Sequence, residues 1–206
     1  MCPDQGRDGI RPGNLIVLTG PSGVGKGVVR ELALARCPRM VLSVSVTTRP
    51  RRAHEIEGVD YFFRTEEQFA KLRAAGELLE WAEFAGAYYG TPRAWVEDRL
   101  AAGLDVLLEI EVQGAKQVLA SHPDAVLVFL SPPSFEALRE RLYRRGTDSP
   151  DKIALRLRKA EEELRERHLF RYEIVNDDVE VAAMNLVHIV HAERCRIRPE
   201  RSGERT

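Results

Sequence analysis

The residues that most plainly specify chemistry in this chain are Gly20, Pro21, Ser22, Gly23, Val24, Gly25 and Lys26. They follow the apolar run Leu15 to Leu18 and precede a segment, Val28 to Arg36, that reads as a helix. Strand, glycine-rich turn, lysine and helix, with the spacing G-x-x-x-x-G-K, is the arrangement of a phosphate-binding loop. Glycines let successive backbone N–H groups turn inward as an anion nest. The helix start adds partial positive charge, and Lys26 adds a full one for the outer phosphates of a nucleotide. A hydroxyl residue usually follows the lysine and helps hold Mg²⁺. Here Gly27 and Val28 follow, so the metal must find other ligands or water-mediated contacts.

The elements that position this loop alternate. Leu104 to Ile110 and Ala125 to Leu130 are near-continuous apolar runs, the pattern of parallel strands buried on both faces. Helical segments are expected over 115–121, 134–145, 151–168 and from Asn176 onward, with a short strand at Glu173 to Val175. This predicts an α/β fold: a parallel-sheet core flanked by helices, with the phosphate loop after the first strand. Residues 43–93 break the alternation. Val41 to Val46 reads as one strand with a wet face, and Gly58 to Phe63 as another. Leu78 to Phe84 and Tyr88-Tyr89 bracket a turn at Gly86, which suggests a small antiparallel sheet whose core includes Trp81 and Phe84. Thr65-Glu-Glu-Gln68 has the form of a capping box, and Pro92 is expected in the first turn of a further helix.

The chain has 206 residues and 44% hydrophobic composition, enough for one compact domain with an insertion. A net charge of −1 excludes a globally basic nucleic-acid binder. Only Lys26, Lys71, Lys116, Lys152 and Lys159 are lysine among 31 basic residues, so arginine clusters need support from spacing. The three cysteines have no metal-ligand spacing and suit a reducing, cytoplasmic setting, with Cys37 and Cys195 read as helix packing. Among the histidines, only His188 and His191 near Glu193 approach a metal-binding pattern. No apolar stretch approaches a membrane span of about 20 residues, and the first dozen residues lack a signal-peptide core. Nothing decides between a monomer and a homodimer.

Several short motifs follow one another in register: Gly20 to Lys26, Ser43 to Arg49, Gly58 to Tyr61, Glu80 to Phe84, Tyr88 to Gly90, Glu109 to Gly114, Arg145 to Thr147 and Val175 to Asp178. In order and spacing this series resembles the guanylate kinases, over roughly residues 14 to 195. The resemblance implies ATP + GMP ⇌ ADP + GDP with Mg²⁺. It implies three parts: a core (14–42, 94–140, 170–198), a GMP-binding subdomain (43–93) and a helical lid (141–169), between tails at 1–13 and 199–206.

The same resemblance assigns roles. The loop from Gly20 to Gly27 would hold the ATP phosphates, with Asn176 and Asp177 near the adenine; a helix cap is a competing role for Asp177 or Asp178. Arg49 and Arg52, with the hydroxyls of Tyr61 and Tyr89, would clamp the GMP phosphate, since the arginine fork matches phosphate bidentately. Glu80 would accept from the guanine edge, helped by Ser45 and Thr91. Arg145, Arg156 and Arg141 would neutralise the transferring phosphoryl alongside Lys26. Glu109 and Glu111 stand where many relatives carry Asp. Two residues apart, they are expected on one side of a strand end, meeting GMP or Mg²⁺, in the latter case directly or through water. A phosphopeptide-binding relative or a phosphosugar kinase is the competing reading. The intact Lys26 and loop glycines oppose the first, and Glu80 opposes the second.

Overall fold

The structure, a computed structural model, describes residues 11–84, 86–144 and 149–197. In chain order its strands are β1 (Leu15–Thr19), β2 (Met40–Leu42), β3 (Ser45–Thr47), β4 (Tyr61–Phe63), β5 (Leu78–Phe84), β6 (Ala87–Pro92), β7 (Asp105–Glu109), β8 (Val126–Ser131) and β9 (Tyr172–Val175). The helices are α1 (Lys26–Arg36), α2 (Glu66–Ala74), α3 (Arg93–Ala101), α4 (Val112–Ser121), α5 (Phe135–Arg144), α6 (Pro150–Arg165) and α7 (Val179–Cys195).

The core sheet has the order β2-β7-β1-β8-β9, and every neighbouring pair is parallel. Its central strands are apolar on both faces because helices cover both. Alternate residues of β1 divide between them. Ile16 and Leu18 join Val29 and Ala33 of α1 and Leu186 and Val190 of α7. Leu15 and Val17 join Val96 of α3 and Val118 of α4. Since all five strands run the same way, their carboxyl ends share one rim, where open sheets of this kind bind ligands.

A second sheet, ordered β4-β3-β6-β5, lies in the stretch that interrupts the alternation. It is mixed rather than antiparallel, because β3 and β4 pair in parallel while β3–β6 and β5–β6 are antiparallel. Val46, Phe69 and Leu78 form its core, with Trp81 packed against them, whereas Phe84 is 61% exposed at the end of β5. Thr65 and Gln68 make the expected capping box at the start of α2. α5 and α6 pack on each other through Leu138, Leu142, Ile153 and Ala160.

Four further local expectations change. Val41 to Val46 is two strands: β2 pairs with β7, Ser43 N–H still donates to Leu107 O at 2.9 Å, and then β3 joins the other sheet. Two three-residue pieces with continuous alternation look like one strand until their partners are known. Pro92 closes β6 and is the residue before α3, outside its first turn. The helix expected over 151–168 ends at Arg165 and tightens into a 3-10 turn, Glu166–Leu169. Cys37 is buried in the core, but Cys195 is exposed.

Candidate active site

The phosphate loop joins β1 to α1 at the carboxyl rim. Gly25 precedes α1 with φ 100°, left-handed backbone that a side chain would strain, and a Cβ there would lie 2.7 Å from Asn176 Nδ2. No acidic residue occupies the first turn of α1, so its positive end faces the loop unopposed. Lys26 Nζ folds back and donates to the carbonyls of Gly20 and Pro21. Burial lowers its pKa, and the carboxylates of Glu109, Glu163 and Glu111 oppose that shift. Gly27 carries no side chain, and the apolar Val28 is 51% exposed.

Glu109 closes β7, where its Oε2 accepts from Arg30 Nη1 at 2.6 Å. Glu111 lies beyond the strand, as the residue that leads into α4, and both its oxygens accept from Lys159 Nζ of α6 at 2.9 Å. The two carboxylates therefore do not form one strand face; separate cations hold them. One turn after Lys159, Glu163 is 9% exposed, with Oε2 buried and lacking a hydrogen-bond partner. Burial raises its pKa, and Lys26 and Lys159 oppose the rise. Glu163 was not singled out from sequence, where it hides in the run Glu161 to Glu163. Its spacing from Ile153 and Ala160, at one helical stripe, is the signal that points it inward. Among the described residues, no group of three or more His, Cys, Asp or Glu side chains is placed to hold a metal ion. Glu193, near the two histidines, is instead bonded to the Tyr172 hydroxyl at 2.7 Å.

Beside the loop, Asn176 is 4% exposed, and its Nδ2 donates to Val24 O at 2.7 Å. Its main-chain carbonyl accepts from Arg141 Nη2 at 2.9 Å. Asp177 lines an open groove with Gly25, Val28, Arg141, Arg144 and Val179. Asp178, not Asp177, caps α7, accepting from the N–H groups of Glu180 and Val181 at 2.8 and 3.0 Å. Arg156 lies on α6, half-buried. Arg145 and the Gly146 break lie outside the described residues.

The second sheet brings another group together. Arg49 donates to both oxygens of Glu55, at 2.6 and 3.2 Å, and its guanidinium lies 5.5 Å from the Tyr61 ring centroid. Tyr61 and Tyr89 meet edge to face at 6.2 Å. Glu55 also accepts from the Arg52 N–H at 2.8 Å. These bonds hold its carboxyl down at about 2, the Arg49 side chain contributing most. Sequence reading passed over Glu55, although one acid in the basic turn Arg49 to Arg52 and just after it is a visible signal. On the neighbouring strands, Glu80 of β5 is 6% exposed and its Oε1 accepts from the Thr91 hydroxyl of β6 at 2.7 Å. Burial raises its pKa, and Thr91 opposes the rise. Ser45 is partly buried on β3 of the same sheet.

A phosphate loop on a parallel sheet, with a separate arginine–tyrosine cluster and a buried carboxylate on an inserted sheet, is the arrangement of a phosphoryl-transfer enzyme. Comparison with known proteins narrows the class. Residues 12–193 match the guanylate kinase family. Guanylate kinase of Streptococcus agalactiae is 51% identical over 186 residues, covering 90% of this chain and 89% of its own. That of Symbiobacterium thermophilum is 52% identical over 184 residues, covering 89% and 87%, and that of Synechocystis is 50% identical over 193 residues, covering 94% and 100%. The crystal structure of guanylate kinase from Anaplasma phagocytophilum superimposes with a TM-score of 0.70 at 36% identity, covering 90% of this chain and 88% of that one. The chain belongs to the guanylate kinase family. Its activity is transfer of a phosphoryl group from ATP to GMP, chemistry that kinases perform with a divalent metal. Among the described residues, no helix is long and apolar enough to cross a membrane.

Proposed function

We propose that the two clusters divide the reaction as follows. The loop from Gly20 to Gly27 cradles the donor phosphates of ATP. Lys26 leaves the Gly20 and Pro21 carbonyls to meet them, exchanging two neutral acceptors for charged ones. Asn176 anchors the loop, and the groove at Asp177 takes the adenine end. Arg49, Arg52, Tyr61 and Tyr89 clamp the GMP phosphate. Glu55 holds Arg49 in place, so that less rotamer freedom is lost on binding. Glu80, set by Thr91 and assisted by Ser45, accepts from guanine N1–H and N2–H₂.

Transfer of this type needs no nucleophilic side chain; alignment and charge neutralisation supply the rate. Lys26, Arg141, Arg145 and Arg156 serve that end, with residues 141–169 acting as a lid on a core of 14–42, 94–140 and 170–198, and residues 43–93 holding GMP. The metal is Mg²⁺. Carboxylate oxygens suit so hard a cation, and Glu109 and Glu111 are the groups at the rim that would meet it, through water as Mg²⁺ commonly allows. When bound, it offsets phosphate charge. The small number of cysteines, three in 206 residues and without metal-ligand spacing, supports a cytoplasmic setting.

The observation that carries the acceptor assignment is a buried carboxylate, Glu80, fixed by Thr91 on the sheet that also bears the arginine–tyrosine cluster. The experiment is a coupled ADP-release assay with GMP, with AMP and with no acceptor. ADP release strongly preferring GMP is expected; equal release with AMP, or release independent of acceptor, contradicts the assignment.

A further inference from the structure

β5 is the edge strand of the second sheet, and its ladder to β6 slips between Leu78 and Trp81. The slip brackets Glu80. Regular pairing with β6 therefore does not by itself fix where that carboxylate points. The other edge of β5 is covered by α4, which belongs to the core. There the Gln117 side chain acts as a strand neighbour: its Oε1 accepts from the Trp81 N–H at 3.1 Å, and its Nε2 donates to the Trp81 carbonyl at 2.9 Å. Both backbone groups of the residue next to Glu80 are thus held by one amide.

Three residues earlier on the same face of α4 is Gly114, buried in the first turn of the helix, where glycine is less favourable than alanine. A Cβ there would lie 2.7 Å from Glu80 Oε2 and 3.2 Å from Ile110 Cδ1. The missing methyl is the space the carboxylate occupies. We propose that Gly114 and Gln117 are positioning residues for guanine selection: Gln117 fixes the backbone of β5 and Gly114 leaves the room into which Glu80 is set. The inference rests on the reading that Glu80 pairs with the base. It also explains how a carboxylate on an inserted sheet keeps register with the core, since α4 starts directly after Glu111 on the rim of the core sheet.

The test compares G114A, Q117L and E80Q, with thermal midpoints recorded for each. Misplacing a binding group by about 1 Å can cost about 10²-fold, so G114A and Q117L should raise KM for GMP by about tenfold or more while KM for ATP stays within about twofold. G114A adds one methyl and favours helix, so it remains informative if Q117L folds poorly. In an E80A background the G114A effect on GMP should vanish, because no carboxylate remains to be displaced. If E80Q impairs GMP use while G114A and Q117L keep wild-type KM values, base reading stands and this proposal falls. An equal loss toward ATP and GMP in both variants marks a general structural role and also overturns it. Unchanged GMP kinetics in E80Q refutes the base reading itself, and the proposal with it.

Discussion

Glu55 receives both terminal nitrogens of Arg49, at 2.6 and 3.2 Å, and the pair is 7% and 20% exposed at the side chains. A carboxylate is thus embedded in the cluster assigned to the GMP phosphate. In the proposed reading it does not bind the anion; it aims the guanidinium assigned to that role. E55Q should raise KM for GMP by about tenfold or more, the scale of a misplaced substrate clamp, with KM for ATP little changed. A Glu55→Gln enzyme with wild-type GMP kinetics contradicts this role.

The same pair predicts a pH dependence. The Glu55 carboxyl sits at about 2, below its ordinary value of 4.5, so the folded protein binds this proton more weakly than the unfolded chain. Its contribution to stability is complete above 4.5 and is lost as the pH falls through about 2. Unfolding free energies measured across that window should fall less steeply for E55Q than for the native protein. Parallel curves contradict the linkage.

Lys26→Ala removes a loop cation whose hydrogen bonds, among the described residues, go to the Gly20 and Pro21 carbonyls, and no core volume. Turnover should drop by about 10²–10³ or more, as when a preorganised donor to developing charge is lost. The thermal midpoint should hardly move. Full turnover in the variant contradicts the placement of the donor phosphates.

Asn176→Ala leaves the buried Val24 carbonyl without its side-chain donor, but keeps the main-chain carbonyl that Arg141 uses. Leaving a buried group unpaired costs about 1–3 kcal/mol, measurable by urea unfolding. Kinetically the loss should fall on KM for ATP. A change confined to KM for GMP would place Asn176 with the wrong substrate.

The sequence is explicit where one residue type answers one physical demand. β1, the glycine loop and α1 follow from an apolar run, glycines and a lysine in fixed order, and β7 and β8 from apolar runs that only a sheet covered on both faces can bury. It is silent where partners decide. Val41 to Val46 alternates without a break, yet pairing divides it between two sheets. Glu111 shares a strand-like spacing with Glu109 but leads into α4 and pairs with Lys159. Glu55 and Glu163 stand among other charged residues, so their sequence signals are faint beside their neighbours, and packing makes plain which acid turns inward.

For the arginines proposed to act from a lid, Arg145→Ala and Arg156→Ala should each lower kcat severely, toward the about 10³–10⁵ that loss of a transition-state arginine costs in related chemistry. Arg156 is carried on α6, the helix whose Lys159 already bonds Glu111 at the rim of the core sheet. Changes below about threefold for both variants contradict the neutralising role.

The central claim is that Glu80 reads the base, and the ratio of kcat/KM for GMP to that for AMP tests it most directly. Guanine offers N1–H and N2–H₂ to a carboxylate, whereas adenine presents an acceptor at N1 and lacks the amine. A site built to bond a particular group rejects an analogue without it by about 10⁴–10⁵. Glu80→Gln preserves shape and the contact with Thr91 while removing charge. The account predicts a strong rise in KM for GMP and a ratio that narrows sharply from the wild-type value. An unchanged ratio, with unchanged GMP kinetics, contradicts it.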